Sequence, residues 1–423
     1  MGLAKKFKAC VLYAAMALAP VVAGSASRSW AGETTWAPML VGGWELSPVL
    51  FVGAVYNSNV DQRSINPDAS WGERVVPRFT ANLDNGIHRT NFYGVADIQN
   101  YANNNDVATK TTVNANVGFM QEYLPTPDLA FRFIGNFTRA SNVFGSSAFS
   151  TINTPLPSTP SAPVATTVVS PQVNSNPSNQ FTGAVSVDKT FGRTFVGLTA
   201  SAVNTQNSSN AAGMTSTNGT TYTVTERTGF YLTPQIYAFV DPSVNWQRYT
   251  DSTLNSNGYR ITGGVGIREV GIWRGEIYGG YQAQNNDIIG TYNSPAFGLR
   301  IGYSPTPMWE FNASVDQSLG APTATTIGST AGVATEATTA LLNVGYNGLS
   351  QDWTTSARFG FVHTIYVNSP RIDNSWLAGA RVTYQFWRNL GITLDYQYQS
   401  LASNVALQSF NQQMVSLGAS YKY

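Results

Sequence analysis

Hydrophobic and polar side chains alternate with a period of two along most of this chain. Residues 259–284 show it most clearly, as two alternating segments separated by a short turn. The apolar face of the first segment carries Tyr259, Ile261, Val265 and Ile267, and its polar face carries Arg260, Thr262 and Arg268. The pattern recurs at residues 309–316 and 392–399. A strict period of two over about ten residues is typical of a strand that crosses a bilayer, with lipid on one face and water on the other.

Short turn sequences and longer polar segments alternate as well. Eight short connections, such as Asp84-Asn85-Gly86, lie between nine longer polar stretches, such as residues 57–72 and 141–179. Outer-membrane barrels have short periplasmic turns and longer external loops, and an even strand number leaves both termini in the periplasm. We therefore predict an all-β fold, a transmembrane antiparallel up-and-down β-barrel of about 18 strands, with 16 as the alternative.

The N-terminus has the features of a secretory signal. Lys5, Lys6 and Lys8 precede an apolar stretch at residues 9–22 and then small residues, which predicts cleavage after Ala26 or Ala31. The alternative, a membrane-anchor helix, fits poorly because the apolar core is short and contains Pro20. We expect a signal peptide at residues 1–31, a short periplasmic segment at 32–48, and an outer-membrane barrel at 49–423.

Composition agrees with a secreted membrane protein. Only 11% of the 423 residues are charged, and outside the signal no apolar run is long enough for a transmembrane helix. Closed barrels satisfy all backbone hydrogen bonds in lipid, which points to the outer membrane of a Gram-negative bacterium. After cleavage at Ala31 the chain would keep 20 basic and 23 acidic residues, so a net charge of −3 gives no case for nucleic-acid binding.

The polar faces of the predicted strands carry many charges. A barrel of about 18 strands is too wide to be filled by its own side chains, so these residues would line a channel. The pore-lining candidates are Arg78, Asp97, Arg132, Arg260, Arg268, Arg274, Glu276, Arg300, Glu310, Arg358, Arg381 and Asp395, with Arg89, Asp188 and Asp316 in the same phase. An arginine-rich lower lumen would weakly favour anions, or the charges form ion-pair networks that hold the wall in shape.

The polar stretch at residues 141–179 would be the third external loop. It is rich in Ser, Thr, Pro and Asn and too polar to build a core. Either it folds into the lumen, as the third loop of general porins does, or it is a mobile surface loop. The second interpretation is favoured because the segment lacks an acidic cluster.

Catalytic and metal chemistry have little support. His88 and His363 have no Ser or Asp partner at a recognised spacing, and the single cysteine, Cys10, lies in the signal. Two histidines and no mature cysteine give no metal site, and no cofactor motif is present. We expect no catalytic residue, no metal and no cofactor.

Aromatic residues suggest how the barrel meets its surroundings. Trp44, Trp273, Trp309, Trp353 and Trp387 fall beside short turns or just before the first strand, where an aromatic girdle belongs. The last strand ends on Tyr423, which resembles the C-terminal signal read by the outer-membrane assembly machinery. Expected partners are that machinery, outer-membrane lipid and lipopolysaccharide. A homotrimer is left open.

Short motifs along the strands resemble a known family. They are residues 56–60 (YNSNV), 75–77 (VVP), 93–97 (YGVAD), Thr233-Pro234 before Phe239-Val240, Gly275 to Tyr281, and 303–306 (YSPT) before Trp309. Together they resemble the putative β-barrel porin-2 family of proteobacterial outer-membrane proteins, over Leu46 to Tyr423. The resemblance implies a porin-like barrel and identifies no solute.

Three functions compete at this point. The first is a porin-like channel for passive diffusion of small hydrophilic solutes or ions. The second is export or anchoring of an extracellular polysaccharide, which some relatives are associated with and for which Tyr93, Tyr231 and Tyr278 could stack on sugar rings. The third is a structural or adhesive surface protein that acts through its external loops.

Overall fold

A computed structural model gives the fold of the chain. It describes residues 39–102, 111–141, 178–207, 218–270, 272–287, 290–320, 334–346, 352–406 and 408–422. The predicted signal peptide at 1–31, most of the predicted loop at 141–179, and Tyr423 lie outside the described residues.

Strands make up almost all of the described chain. They are β1 Met39–Val41, β2 Trp44–Asn57, β3 Ser70–Asp84, β4 His88–Tyr101, β5 Thr111–Thr126, β6 Leu129–Ala140, β7 Ser178–Phe191, β8 Thr194–Asn207, β9 Gly219–Tyr231, β10 Ile236–Tyr249, β11 Ser256–Val270, β12 Trp273–Asn286, β13 Gly290–Thr306, β14 Trp309–Gly320, β15 Thr335–Tyr346, β16 Trp353–Tyr366, β17 Ile372–Trp387, β18 Leu390–Ser403 and β19 Phe410–Lys422. A single 3₁₀ turn, Ser252–Leu254, interrupts the strands within the described ranges. No helix of the described residues is long and apolar enough to span a membrane.

The long strands close into a barrel. Each of β2 to β19 pairs antiparallel with the next strand along the chain, and β19 pairs back onto β2 from Met414–Asn57 to Lys422–Val49. Because β1 is a short strand that pairs with β2, the closed barrel has 18 strands. The predicted fold class and strand number are confirmed, and the alternative of 16 strands is wrong.

The N-terminal boundary differs from the prediction. Residues 39–48 were expected to form a periplasmic segment outside the barrel, but β2 begins at Trp44 and Met39 pairs with Leu46. Gly42 and Gly43 both have positive φ and make the tight turn between β1 and β2. The chain therefore enters the barrel wall earlier than the alternation of β2 alone indicated.

The two faces of the wall are opposite in character. Large apolar side chains such as Val265, Ile277 and Leu417 point outward and are exposed, whereas Gln399, Gln412 and Ser416 point inward and are buried. A soluble protein would show the reverse, so this arrangement is that of a barrel in lipid. The chain is an outer-membrane protein with a polar lumen.

Outward-facing aromatic rings gather at the short-turn end. Trp273 stacks on Tyr303 with ring centroids 4.0 Å apart, and Trp353 packs against Tyr384 at 4.7 Å. Trp309 lies 4.2 Å from Tyr346. Such rings mark the depth of one membrane interface and therefore set the position of the barrel in the bilayer.

Candidate functional site

The structure places every predicted pore-lining candidate on the inward face of the wall. The assignment follows from the register, in which directly paired residues share a face. Glu276 pairs with Arg300, and Arg381 pairs with Asp395. Three of the arginines, Arg78, Arg300 and Arg381, each lie six residues from the short-turn end of their strands at Asp84, Thr306 and Trp387. The charges therefore form a band in the half of the lumen nearer the short turns.

One ion-pair cluster crosses the seam where β19 meets β2. Arg74 donates from Nε and Nη2 to Asp97, with Nη2 2.6 Å from Oδ2, and from Nη1 to Asp395 at 3.3 Å and Ser416 at 2.7 Å. Arg381 donates to the same Asp395 oxygen from Nη2 at 2.5 Å. Asp395 is thus bonded by arginines of β3 and β17, while Asp97 is bonded by Arg74.

A second cluster lies on β5 to β7. Arg132 bridges Glu122 at 2.8 Å and Asp188 at 2.7 Å, and all three side chains are buried. Arg89 joins from β4, where it lies 3.4 Å from Glu122 and 3.3 Å from Asp84. This cluster links five consecutive strands, β3 to β7, from the inside.

The third cluster centres on Arg227, which binds Asp241 through two bonds of 2.8 and 2.7 Å and reaches Glu276 at 3.2 Å. Arg300 donates to the other oxygen of Glu276 at 3.0 Å. The Arg227 guanidinium also lies 4.1 Å from the centroid of the Phe239 ring.

The remaining predicted charges also lie among inward-facing partners. Arg260 and the Tyr278 hydroxyl both approach Asp316 Oδ1, at 3.4 and 2.5 Å. Arg274 lies 3.2 Å from Glu310. Arg268 lies over the Tyr231 ring.

The prediction missed the two arginines that organise these clusters. Arg74 precedes Arg78 by four residues in β3, and Arg227 precedes Tyr231 by four in β9. Both are therefore in phase with positions already assigned to the lumen, so the alternation could have identified them. Their bonds to Asp395 and Glu276 could not be found this way, because they join strands that are not neighbours.

Inward aromatic rings lie flat against glycines of the wall. A methyl carbon at Gly266 would lie 2.2 Å from Cζ of Tyr237, and one at Gly298 would lie 2.2 Å from Cζ of Tyr278. Phe195, Tyr231, Tyr237, Phe239 and Tyr278 form one buried cluster. Because the glycines leave room beside the wall, these rings do not have to project across the lumen.

Arginines and carboxylates differ in exposure. The side chains of Arg89, Arg260, Arg274, Arg300 and Arg381 are 26–43% exposed, whereas those of Glu122, Asp188, Asp241, Glu276 and Asp395 are 2–9% exposed. The carboxylates of Asp97, Asp316, Glu310 and Asp84 are exceptions at 20%, 25%, 35% and 51%, and Arg74, Arg132 and Arg227 are buried at 3–6%. Five of the eight arginines in these ion pairs, but only four of the nine carboxylates, are therefore open to the lumen.

The first external loop, residues 58–69, folds into the barrel mouth. Val60 packs on the inward side chains Val55, Tyr101 and Met414. Gln62 donates to the Gln412 side chain at 3.1 Å, and Gln412 donates back to the Asn59 carbonyl at 2.8 Å. The charged residues of the sequence alone would not predict this contact, since it depends on one apolar residue and two amides.

Amides rather than charges line the wall near this loop. Tyr101 donates to Gln99 at 2.7 Å, and Asn57 donates to the Tyr101 hydroxyl at 3.0 Å. Gln397, Gln399 and Gln412 are buried on the same side. The wall near this loop is therefore rich in amides, in contrast to the charged band nearer the short turns.

Neither histidine belongs to the lumen clusters. His88 stacks on Tyr123 with centroids 4.8 Å apart, and His363 Nδ1 lies 2.7 Å from Asn374 Oδ1. Within the described ranges no three His, Cys, Asp or Glu side chains are grouped as metal ligands. The geometry gives these residues hydrogen-bonding and packing roles.

Comparison with known proteins gives one family and several distant structures. A family model described as putative beta-barrel porin 2 matches residues 38–423. No curated protein matches the chain. Pseudomonas aeruginosa OccK9 (OpdG) is 10% identical over 89% of this chain and 98% of its own, with a TM-score of 0.43. Pseudomonas aeruginosa OpdK with vanillate is 10% identical over 89% and 98%, with a TM-score of 0.41. The siderophore receptor PirA from Acinetobacter baumannii is 8% identical over 90% and 80%, also at 0.41.

Proposed function

The chain belongs to the putative beta-barrel porin 2 family, and we propose that it is a channel for passive diffusion of small hydrophilic solutes and ions, with a preference for anions. As an outer-membrane barrel of 18 strands it is wide enough to hold an aqueous channel. The inward-folded first loop narrows the mouth on one side of the lumen.

One observation carries the anion preference. Arg300 and Arg381 expose about a third of their side chains, while their partners Glu276 and Asp395 are buried at 9% and 2% exposure. An ion in the lumen therefore approaches guanidinium groups more closely than carboxylates. Rings of charge select ions by their field, so the nearer sign has the larger effect.

Single-channel recording in a planar bilayer tests this proposal. Purified, folded protein is added under a KCl gradient, and both the conductance steps and the reversal potential are measured. We expect stable steps and a reversal potential displaced toward that of chloride. A folded barrel without conductance would overturn the channel, and a cation-selective reversal potential would overturn the anion preference.

The polysaccharide alternative loses the observation that favoured it. Tyr93, Tyr231 and Tyr278 face the lumen, but they are only 8%, 9% and 7% exposed. The guanidinium groups of Arg260 and Arg300 lie over the Tyr278 ring. Sugar stacking needs an open ring face, so these three residues give no support to polymer export.

A further inference from the structure

Arg248 is an arginine on the lipid-facing side of the wall. It is exposed, and it lies next to Tyr249, the last residue of β10, where the longer connection to β11 begins. It follows Val244 and Trp246 in the outward phase of this strand, and both of those side chains are exposed. Longer connections are external in outer-membrane barrels, so this guanidinium lies at the level of the outer leaflet.

Neutral oxygens hold Arg248 in place. Nη1 donates to the backbone carbonyls of Gln247 at 2.9 Å and Ser256 at 3.2 Å. Nη2 donates to Asn257 Oδ1 at 2.7 Å. These bonds fix the position of the guanidinium on the wall but do not neutralise its charge.

The charge of Arg248 has no counter-ion among the described residues. The nearest carboxylate along the chain, Asp251, accepts from the backbone N–H and the hydroxyl of Thr253. At the opposite end of the wall the outward-facing Lys189 forms an ion pair with Asp128. A lipid-facing cation near the short turns is therefore paired within the protein, whereas Arg248 needs an anion from its surroundings.

The guanidinium also keeps two N–H donors for such an anion. A guanidinium has five N–H groups, and the three bonds above use two on Nη1 and one on Nη2. One N–H therefore remains on Nε and one on Nη2. Neighbouring guanidinium nitrogens bind two oxygens of one phosphate through parallel charge-assisted bonds.

Exposed aromatic rings lie beside Arg248 on the side of the membrane core. Trp246 pairs with Tyr222 of β9, and Tyr259 is its diagonal neighbour on β11. The three side chains are 39–48% exposed, and the exposed Ile261 follows Tyr259 in the outward phase. From the core outward the surface is thus apolar, then aromatic, then cationic, which is the order that suits acyl chains, a sugar ring and a phosphate.

We propose that Arg248, Trp246, Tyr222 and Tyr259 form a binding site for a phosphorylated glycolipid of the outer leaflet, the lipid A part of lipopolysaccharide. Arg248 binds a phosphate, and the three rings contact the sugar and the upper part of the acyl chains. The site is independent of the proposed channel, because it lies on the opposite face of the wall.

Native mass spectrometry of the folded barrel in detergent tests the site. The probes are bisphosphorylated lipid A, the same glycolipid without phosphates, and phosphatidylethanolamine. We expect saturable binding of lipid A that is tighter than that of the other two lipids. Arg248→Gln should weaken the tightest lipid A binding about tenfold, the loss of one charge-assisted contact.

Lys189→Gln is the matched control, because it removes an outward-facing charge that already has a partner at the other end of the wall. It should leave the affinity within about twofold. Trp246→Ala should weaken binding about threefold, the loss of one ring contact, whereas Trp309→Ala, in the girdle at the short turns, should not.

All variants are compared as folded barrels, which migrate as a compact form on SDS gels without heating. Equal weakening by Arg248→Gln and Lys189→Gln would overturn the site, as would equally tight binding of the glycolipid without phosphates or an absence of saturable lipid A binding. Phosphatidylethanolamine that binds as tightly as lipid A would overturn the assignment to a glycolipid.

Discussion

Arg74 holds strands together that are not neighbours. It projects from β3 and reaches Asp395 of β18, 321 residues further along the chain, across both strands of the seam. Gly53 pairs with Arg74, and Gly418 pairs with Gly53, so neither seam strand has a side chain at that level. A methyl carbon at Gly53 would lie 2.4 Å from the Leu417 carbonyl oxygen, so the strands also approach closely here.

Replacing Arg74 by Met should therefore destabilise the barrel. Loss of Arg74 leaves Asp97 without its arginine and Asp395 with Arg381, and removing one partner of a buried ion pair costs about 3–5 kcal/mol. Samples are heated to increasing temperatures and run on SDS gels, on which the folded barrel migrates as a compact form. The temperature at which this form is lost should fall. Arg78→Met removes the same charge four residues away and leaves the bonds of Arg74 to Asp97 and Asp395 intact. Its transition temperature should stay near that of the parent. Equal transition temperatures for the two variants would contradict the claim that Arg74 stabilises the barrel by joining non-neighbouring strands.

Glycines inside the wall also have individual roles. Gly266 faces the Tyr237 ring, whereas Gly263, three residues earlier in the same strand, has only the Phe239 carbonyl oxygen at 3.6 Å and a Val240 methyl at 3.9 Å from the position of an added Cβ. Gly266→Ala should cost about 1–3 kcal/mol because the ring must move. Gly263→Ala should stay within about 1 kcal/mol, because its Cβ has space and alanine loses less backbone entropy. Urea titrations of the folded barrels compare the pair, and equal midpoints would refute the steric argument.

At the scale of elements, the first external loop is where the structure adds most to the sequence prediction. The long segment at 141–179 is the one whose position in the chain suggests a constriction, and it lies mostly outside the described residues. The loop at 58–69 is shorter and polar, and its inward fold depends on Val60 entering a pocket made by β2, β4 and β19. Composition cannot predict such a contact, because the pocket exists only after the barrel has closed.

Val60→Asp should release this loop. A carboxylate in the pocket would lose hydration without gaining a partner, so the loop is expected to leave the lumen wall. We expect a larger single-channel conductance and faster tryptic cleavage at Arg63. Ile65→Asp is the control, because Ile65 belongs to the same loop but is 62% exposed, against 7% for Val60. The inward loop would not be a constriction if the two variants conducted alike.

At the scale of the whole molecule, the sequence predicts the number of strands and which side chains face the lumen. Both depend on strand and turn patterns that recur in short segments of the chain. Each turn sequence and each period of two is complete within about ten residues of chain. The bonds of Arg74 and Arg227 could not be predicted, since they depend on which strands curve toward each other in the closed ring. The same holds for the start of β2, where pairing with Met39–Val41 extends the strand to Trp44.

The orientation of the barrel follows from its turn lengths and can be tested on one strand. The two ends of β10 carry Gln235, in the short turn after β9, and Ser252, in the longer connection before β11. The only cysteine of the sequence is Cys10, so cleavage of the signal would leave a mature chain without background thiols. Short turns are periplasmic in outer-membrane barrels and longer loops are external.

Gln235→Cys and Ser252→Cys should therefore react differently with a maleimide–polyethylene glycol too large to enter the channel. In intact cells Ser252→Cys is expected to be labelled and Gln235→Cys protected, and both should be labelled after the outer membrane is opened. Both positions are exposed, so a difference between them reports the side of the membrane and not burial. The reverse labelling pattern would mean that the short turns face the outside of the cell. The charged band, which lies nearer the short turns, would then be at the external mouth.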